Sequence, residues 1–308
     1  MSQVNMKQVK ELRDRTQAGL NDCRSAIVES EGDMDKAVEI ILKKGLAKSV
    51  KRAGTVAAEG VVAAKVAADG KSAVVVEVNI QTDFAARNAD YLAFVDKVVE
   101  AAEGAADGAD LLAAPFPGGE GTVEAHRAAL VGKLGENITV RRWQRLSVKT
   151  GRVTSYVHMG GKIGVLLAAE TDSDATAAKI EPFLQDAAMQ VAAMAPPYLS
   201  VEMIPEADRS AQAKIFAGQL KEEGKIPEDR WPQVIEGKIG KWAKEICLLQ
   251  QISVIDTKKT IDEVRATIAS DAGGEVKLVP FVRLERGEGI DLPQGDDFAA
   301  EVAAMAKG

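Results

Sequence analysis

The sequence predicts an α+β protein with a small helical module first, then a core of two units, each a strand hairpin followed by a helix. A projecting pair of helices is inserted in the second unit. Three observations carry this reading. Apolar residues recur at helical spacing through the first forty-five positions. Two pairs of β-branched runs, each pair joined by a glycine turn, are both followed by Thr-Asp and then by a helical pattern. Residues 205–248 read as helix almost throughout, broken at Gly224 and Pro227.

Length and composition set the outer bounds. A chain of 308 residues suggests about two or three domains. With 46% apolar and 28% charged residues it can bury a sizeable core. The net charge of −7 argues against broad binding to nucleic acid or anionic membranes, so neither is expected as a partner. Lys7, Lys10, Glu11, Arg13, Asp14 and Arg15 leave no apolar signal region in the first twenty residues. No uncharged apolar run approaches ~18 residues, so no bilayer span is expected. Cys23 and Cys247 are far apart among apolar neighbours, which suits free thiols and a cytoplasmic location.

In chain order, Met6, Val9 and Leu12 mark a first short helix. Asn21 or Asp22 can cap a second, carrying Cys23, Ala26 and Ile27 and stopping at Gly32. Asp33 caps a third with Met34, Ala37, Val38, Ile41 and Leu42 on one face, ended by Gly45. Helices this short must share a core to persist. Residues 46–59 read as a linker or loose helix, with Lys48, Lys51 and Arg52 on a solvated basic face. The run Val61–Ala68, the pair Asp69-Gly70 and the buried run 73–80 make a hairpin, and Asp-Gly favours a type I′ turn with positive φ at both positions.

Thr82-Asp83-Phe84-Ala85-Ala86-Arg87-Asn88 then forms a strand-to-helix corner, with Asn88 capping a helix that carries Tyr91, Leu92, Val95, Val98, Val99 and Ala102. Such a corner presents side chains on a rigid scaffold. From its spacing alone, Phe84 is either a buried hydrophobic staple or a presented contact. After a flexible stretch from Gly104 to Gly121, Thr122 caps a helix through Leu134, ended by Gly135. Residues 138–148 read as a strand whose arginines 141, 142 and 145 face solvent while Trp143 lies on the core.

A second hairpin, Val153–His158 with Ile163–Glu170, leads through Thr171-Asp172 into a helix with Ile180, Phe183, Leu184, Ala187, Ala188 and Val191 on one face. The repeat suggests two related halves, and the second corner lacks an aromatic after its Asp. One long helix then stops at Gly224, and another starting at Pro227 contains Trp231, Ile235, Ile239, Trp242 and Ile246. The short link makes them an antiparallel pair. Thr260-Ile261-Asp262-Glu263 is a capping box. Residues 275–284 form a strand closing the second sheet, with Pro280 at an edge or bulge. Phe298, Val302 and Met305 belong to a last short helix.

The chemistry of catalysis is missing from this pattern. His126 and His158 are the two histidines, without Cys or His at metal spacing. Gly132-Lys133 and Gly161-Lys162 lack the rest of a P-loop, and no nucleophile elbow or dinucleotide fingerprint occurs. These absences favour a partner-binding protein over an enzyme, and no cofactor is expected.

The corner, following Glu77-Val78-Asn79, resembles the signature of the elongation factor Ts family, the bacterial guanine-nucleotide exchange factors for elongation factor Tu. Val9-Lys10-Glu11-Leu12-Arg13, the Thr16–Cys23 loop and Gly32-Asp33 resemble that family's opening module. Leu134-Gly135-Glu136-Asn137, Ser155-Tyr156-Val157-His158 and Gly287-Glu288-Gly289-Ile290 are similar to later blocks. The resemblance spans essentially the whole chain in order. It implies a ubiquitin-associated-like three-helix partner-binding module at 1–45 and a linker at 46–59. The core would consist of an N-terminal subdomain at 60–150 and a C-terminal subdomain at 151–204 and 247–290, with antiparallel sheets. A protruding helical hairpin at 205–246 and a short C-terminal module at 291–308 complete the implied layout.

By the same resemblance, the partner is elongation factor Tu in its GDP-bound and nucleotide-free forms. Thr82, Asp83, Phe84 and Ala85 inherit the role of dislodging its magnesium, and Leu134, Gly135, His158 and Arg24 that of further partner contacts. Ala85 stands where Val is usual, Leu134 where Ile is frequent and Gln17 where Gly is frequent. Gln251-Ile252-Ser253 replaces a commoner Gln-Pro-Phe. A non-catalytic scaffold or chaperone-like module is the alternative that the residues alone leave open.

Overall fold

The computed structural model describes residues 5–16 and 18–291, so Gln17 and the helix expected around Phe298, Val302 and Met305 lie outside the described residues. Helices α1 (Met6–Thr16), α2 (Leu20–Glu29) and α3 (Met34–Arg52) close on Val9, Leu12, Cys23, Ala26, Ile27, Ala37 and Ile41. Asp33 caps α3 by accepting from the amides of Asp35 and Lys36, each at 3.1 Å. Neither Asn21 nor Asp22 caps α2, which starts two or three residues earlier, behind Gly19. Asp22 instead pairs with Lys48 at 3.2 Å.

The first sheet contains β1 (Glu59–Val66), β2 (Ser72–Ile80) and β3 (Ile138–Ser147), antiparallel in that order. Helices α4 (Asp83–Ala86), α5 (Ala89–Gly104) and α6 (Val123–Leu134) lie between β2 and β3 in the chain. The second sheet has β4 (Gly151–His158) on one edge of β5 (Ile163–Thr171), with two short strands, β6 (Val276–Leu278) and β7 (Val282–Glu285), sharing the other. Around it run α7 (Asp174–Lys179), α8 (Glu181–Met194), α9 (Glu206–Glu223), α10 (Trp231–Ile246) and α11 (Ile261–Ala272).

The central strands β2 and β5 explain the layering. On β2, Val74, Val76, Val78 and Ile80 meet Tyr91, Phe94, Val95 and Val98 of α5. The alternate residues Ala73 and Val75 meet Leu166, Ala168 and Leu284 of the second sheet. On β5, Ile163, Val165, Leu167 and Ala169 turn to Phe183, Leu184, Ala187 and Val191 of α8. Each strand is therefore buried on both faces and reads as a continuous apolar run. The result is four layers: helices, sheet, sheet, helices.

Further local expectations change. Gly45 does not end α3, and the helix runs on to Arg52; the glycine stands where α3 crosses α6, since a Cβ there would sit 3.1–3.2 Å from the backbone of Ala128 and Ala129. The missing side chain serves helix contact, not termination. The first hairpin does not turn by type I′, since Gly70 has φ +68 while Asp69 is not left-handed. The Asp69 carboxylate instead accepts from the Lys71 amide at 2.9 Å, an Asx turn within a longer loop. The strand expected at 275–284 is two strands, parted at Val279–Phe281 around Pro280.

The arginines of β3 are not a solvated face. A register shift opposite Glu77 and Val78 leaves Arg141 as the extra residue, so Arg141 and Arg142 both reach the fully buried Glu77 carboxylate. That carboxylate also accepts from the Gly287 amide at 2.7 Å and from Asn79 at 3.1 Å. Arg145 donates to the carbonyls of Ala102 and Ala105, both at 2.8 Å, closing the end of α5. Trp143 packs on the core and donates to the Ala109 carbonyl at 3.0 Å.

Helices α9 and α10 form the protruding hairpin. On α9 the buried residue is Leu220, and on α10 they are Ile239 and Ala243. Its base is held by Ile204, Ala243 and Cys247 with Tyr198, Trp242 and Ile246. Burial pushes the Cys247 thiol up to about 11, so it stays protonated at neutral pH. Replacing residues 215–239 by a short Gly-Ser link, which spares that base, should leave the thermal unfolding of the core in place. A circular-dichroism melt without a cooperative transition would make the hairpin part of the core.

Candidate functional site

Two side-chain caps within seven residues shape the corner after β2. Thr82, in extended conformation (φ −122, ψ 151), accepts from the Ala85 amide at 3.2 Å and starts α4. Asn88 accepts from the Asp90 amide at 2.9 Å and starts α5. Ala86 is buried and Ala85 packs partly against the core. Once those two face inward, Phe84 faces out: its exposure is 83%, so it is not a staple. Asp83 pairs with Arg87 at 3.0 Å across one helical turn.

A second segment is fixed against this corner. Gly135 ends α6 in the left-handed region at φ 77, a conformation favourable to glycine. Glu136 then accepts twice from Thr82, from its hydroxyl at 2.8 Å and its amide at 3.1 Å. The Asn137 amide donates to the Gln81 side chain at 2.6 Å, and the Asn137 side chain donates to the Thr55 carbonyl at 2.8 Å. Lys133 reaches Asp90 at 2.6 Å. The structure thus brings Thr82–Ala85 and Leu134–Gly135 side by side.

His158 closes β4 and is exposed, with its Nδ1 3.0 Å from the Tyr156 hydroxyl. Its turn belongs to the same end of the sheets as the corner. The Val62 amide donates to the Gly161 carbonyl at 2.7 Å, while Glu59, three residues before Val62, pairs with Ile80. Val157 and Met159 are exposed on either side of His158, at 42% and 69%. Arg24 lies apart, exposed on α2. Two features of the site carry no signal in the sequence. The exposure of Met159 follows from a left-handed turn at φ 49, and the Glu136 clamp joins residues 54 apart.

The remaining polar features serve structure. His126 is buried, its ring stacks on Phe116 at 3.6 Å and its Nε2 meets the Glu120 carbonyl at 2.8 Å. Burial pushes its pKa down, against the opposing pull of that carbonyl. Phe94, Phe116, His126 and Leu130 line a cavity of about 250 Å³ between α5 and α6. Among the described residues no group of three or more His, Cys, Asp or Glu could hold a metal ion. No described helix is long and apolar enough to cross a membrane.

Comparison with known proteins addresses the same stretch. A family model described as Elongation factor TS matches residues 81–288. The chain is 44% identical over 306 residues to the elongation factor Ts of a Nitratiruptor species, with 99% of each covered. It is 43% identical over 314 residues to that of Methylobacterium nodulans, covering 100% of both. Over 302 residues it is 41% identical to that of a Clostridium botulinum strain, covering 97% of this chain and 98% of the other.

Proposed function

The chain belongs to the elongation factor Ts family, and we propose that it promotes exchange of GDP for GTP on elongation factor Tu by displacing the partner's magnesium. The observation that carries this is Phe84, a large apolar ring 83% exposed on a corner fixed by two caps.

The physics is simple. A G protein holds GDP through backbone amides and a magnesium ion that demands near-ideal octahedral geometry at ~2.0–2.1 Å. A shift of one supporting loop degrades that geometry. Burying the Phe84 ring in the partner supplies about 1.5–3 kcal/mol toward the shifted state. Asp83 and Thr82 hold the turn, Leu134 and Gly135 widen the contact, and His158 with Met159 meets the partner beside it. Arg24 makes a separate contact through the N-terminal module.

The factor then binds nucleotide-free elongation factor Tu more tightly than the GDP form, and linkage requires it to loosen GDP by the same ratio. It lowers a barrier in both directions and consumes nothing, so it is not an enzyme in the usual sense. Excess GTP sets the direction. Such a factor works in the cytoplasm, where translation proceeds.

Release of a fluorescent GDP analogue from elongation factor Tu tests the reading. Acceleration by this protein is expected, and an unchanged rate would leave only a scaffold. Calorimetry of the protein alone should give no heat of binding with GDP or GTP, because Gly132-Lys133 and Gly161-Lys162 both lack the rest of a P-loop. Tight nucleotide binding by this chain would contradict the proposal.

A further inference from the structure

We infer that Glu136 is a positioning residue for exchange: its carboxylate holds the Thr82 turn so that Phe84 is presented in one orientation before the partner arrives. This rests on the proposed role of Phe84. The geometry is specific. One oxygen accepts from the Thr82 hydroxyl at 2.8 Å, the other from the Thr82 amide at 3.1 Å. With its proton donated to Glu136, the Thr82 hydroxyl keeps its lone pairs for the Ala85 amide at 3.2 Å, the amide after Phe84. The chain of bonds therefore runs from Glu136 through Thr82 to both sides of the exposed ring.

Charge makes this clamp stronger than a neutral one, because bonds to an ionised acceptor are about twice as strong. The carboxylate itself is held by its neighbours in the chain. Gly135 before it closes α6, and the amide of Asn137 after it is tied to Gln81. The four residues of α4 are too few to hold their own shape in water. A ring on an unclamped turn would sample several orientations, and a partner would have to select the productive one. That cost falls on the step in which the ring is buried.

The test uses the full-length protein and elongation factor Tu bound to a fluorescent GDP analogue. Glu136→Ala should lower the GDP-release rate at saturating factor about tenfold, with a much smaller change in the half-saturating concentration. Glu136→Gln, which retains one carbonyl acceptor, should recover part of the rate. In a Phe84→Ala background, Glu136→Ala should have no further effect. An equal loss in both backgrounds would show that Glu136 acts without Phe84 and would overturn the inference.

Amide hydrogen exchange in the free protein gives an independent arm. Thr82 and Ala85 should exchange faster in Glu136→Ala while the strand amides of β2 do not change. Unchanged exchange at both residues would overturn the clamp, whatever the activity. If Phe84→Ala alone leaves release unaltered, the proposed role of the ring fails separately and visibly.

Discussion

Phe84→Ala is expected to fold normally and to release GDP from elongation factor Tu far more slowly. The ring is 83% exposed, so its removal leaves no cavity, and the stability should change by no more than a surface substitution allows, about ±0.5 kcal/mol. Without the ring, the interaction with the partner weakens by about 1.5–3 kcal/mol, or roughly 10- to 150-fold. If the ring is buried mainly in the magnesium-displaced state, as proposed, the deficit should fall on the release rate more than on initial docking. A buried staple would behave in the opposite way, costing ~3–5 kcal/mol of stability, with activity failing through the fold. A thermal melt and a release trace on the same variant separate the two.

The largest stability effect should come from Glu77. This carboxylate is fully buried and has three kinds of partner: the guanidinium groups of Arg141 and Arg142, the Asn79 side chain and the Gly287 amide. Glu77→Ala removes the carboxylate that pairs with Arg141 and the closer of the two that pair with Arg142, which keeps Glu288 at 3.2 Å, and leaves the Gly287 amide without its acceptor, at about 3–5 kcal/mol for a broken buried pair. Burial pushes the Glu77 pKa up, but the Gly287 amide, Arg142 and Asn79 outweigh it and hold the value below the usual range. A depressed pKa contributes stability that is present above the unfolded carboxylate's pKa and lost as pH falls through the folded one. The stability gap between wild type and Glu77→Ala should therefore be widest at neutral pH and narrow on acidification. Denaturant titrations at pH 7 and across the acid range measure it, and a gap independent of pH would contradict the assignment.

Legibility in the sequence followed the range of the interactions. Local devices were readable: the Asn88 and Thr122 caps, the capping box at Thr260 and Glu263, and the stops at Gly135 and Gly224 all depend on residues a few positions apart. The continuous apolar run of β2 disclosed its burial for the same reason. Gly45 misled because a helix-stopping glycine and a helix-crossing glycine look alike until α6 is in place. The arginines of β3 misled because their acceptors, Glu77 and the end of α5, lie on other elements. At the corner, the sequence marked the residues but left Phe84 open between core and surface. The inward packing of Ala85 and Ala86 resolved its direction. The second corner shows the contrast: Asp172 turns in to accept from the Thr176 hydroxyl at 2.8 Å, and no aromatic follows it.

The magnesium dependence of the Phe84 effect tests the central claim most directly. GDP release from elongation factor Tu would be followed with wild type and Phe84→Ala at saturating concentration, first with magnesium present and then after chelation. If the ring acts by displacing the ion, the variant should be roughly 10- to 150-fold slower with magnesium and nearly equal to wild type without it. A defect of the same size in both conditions would show that Phe84 contributes binding alone and would contradict the magnesium mechanism.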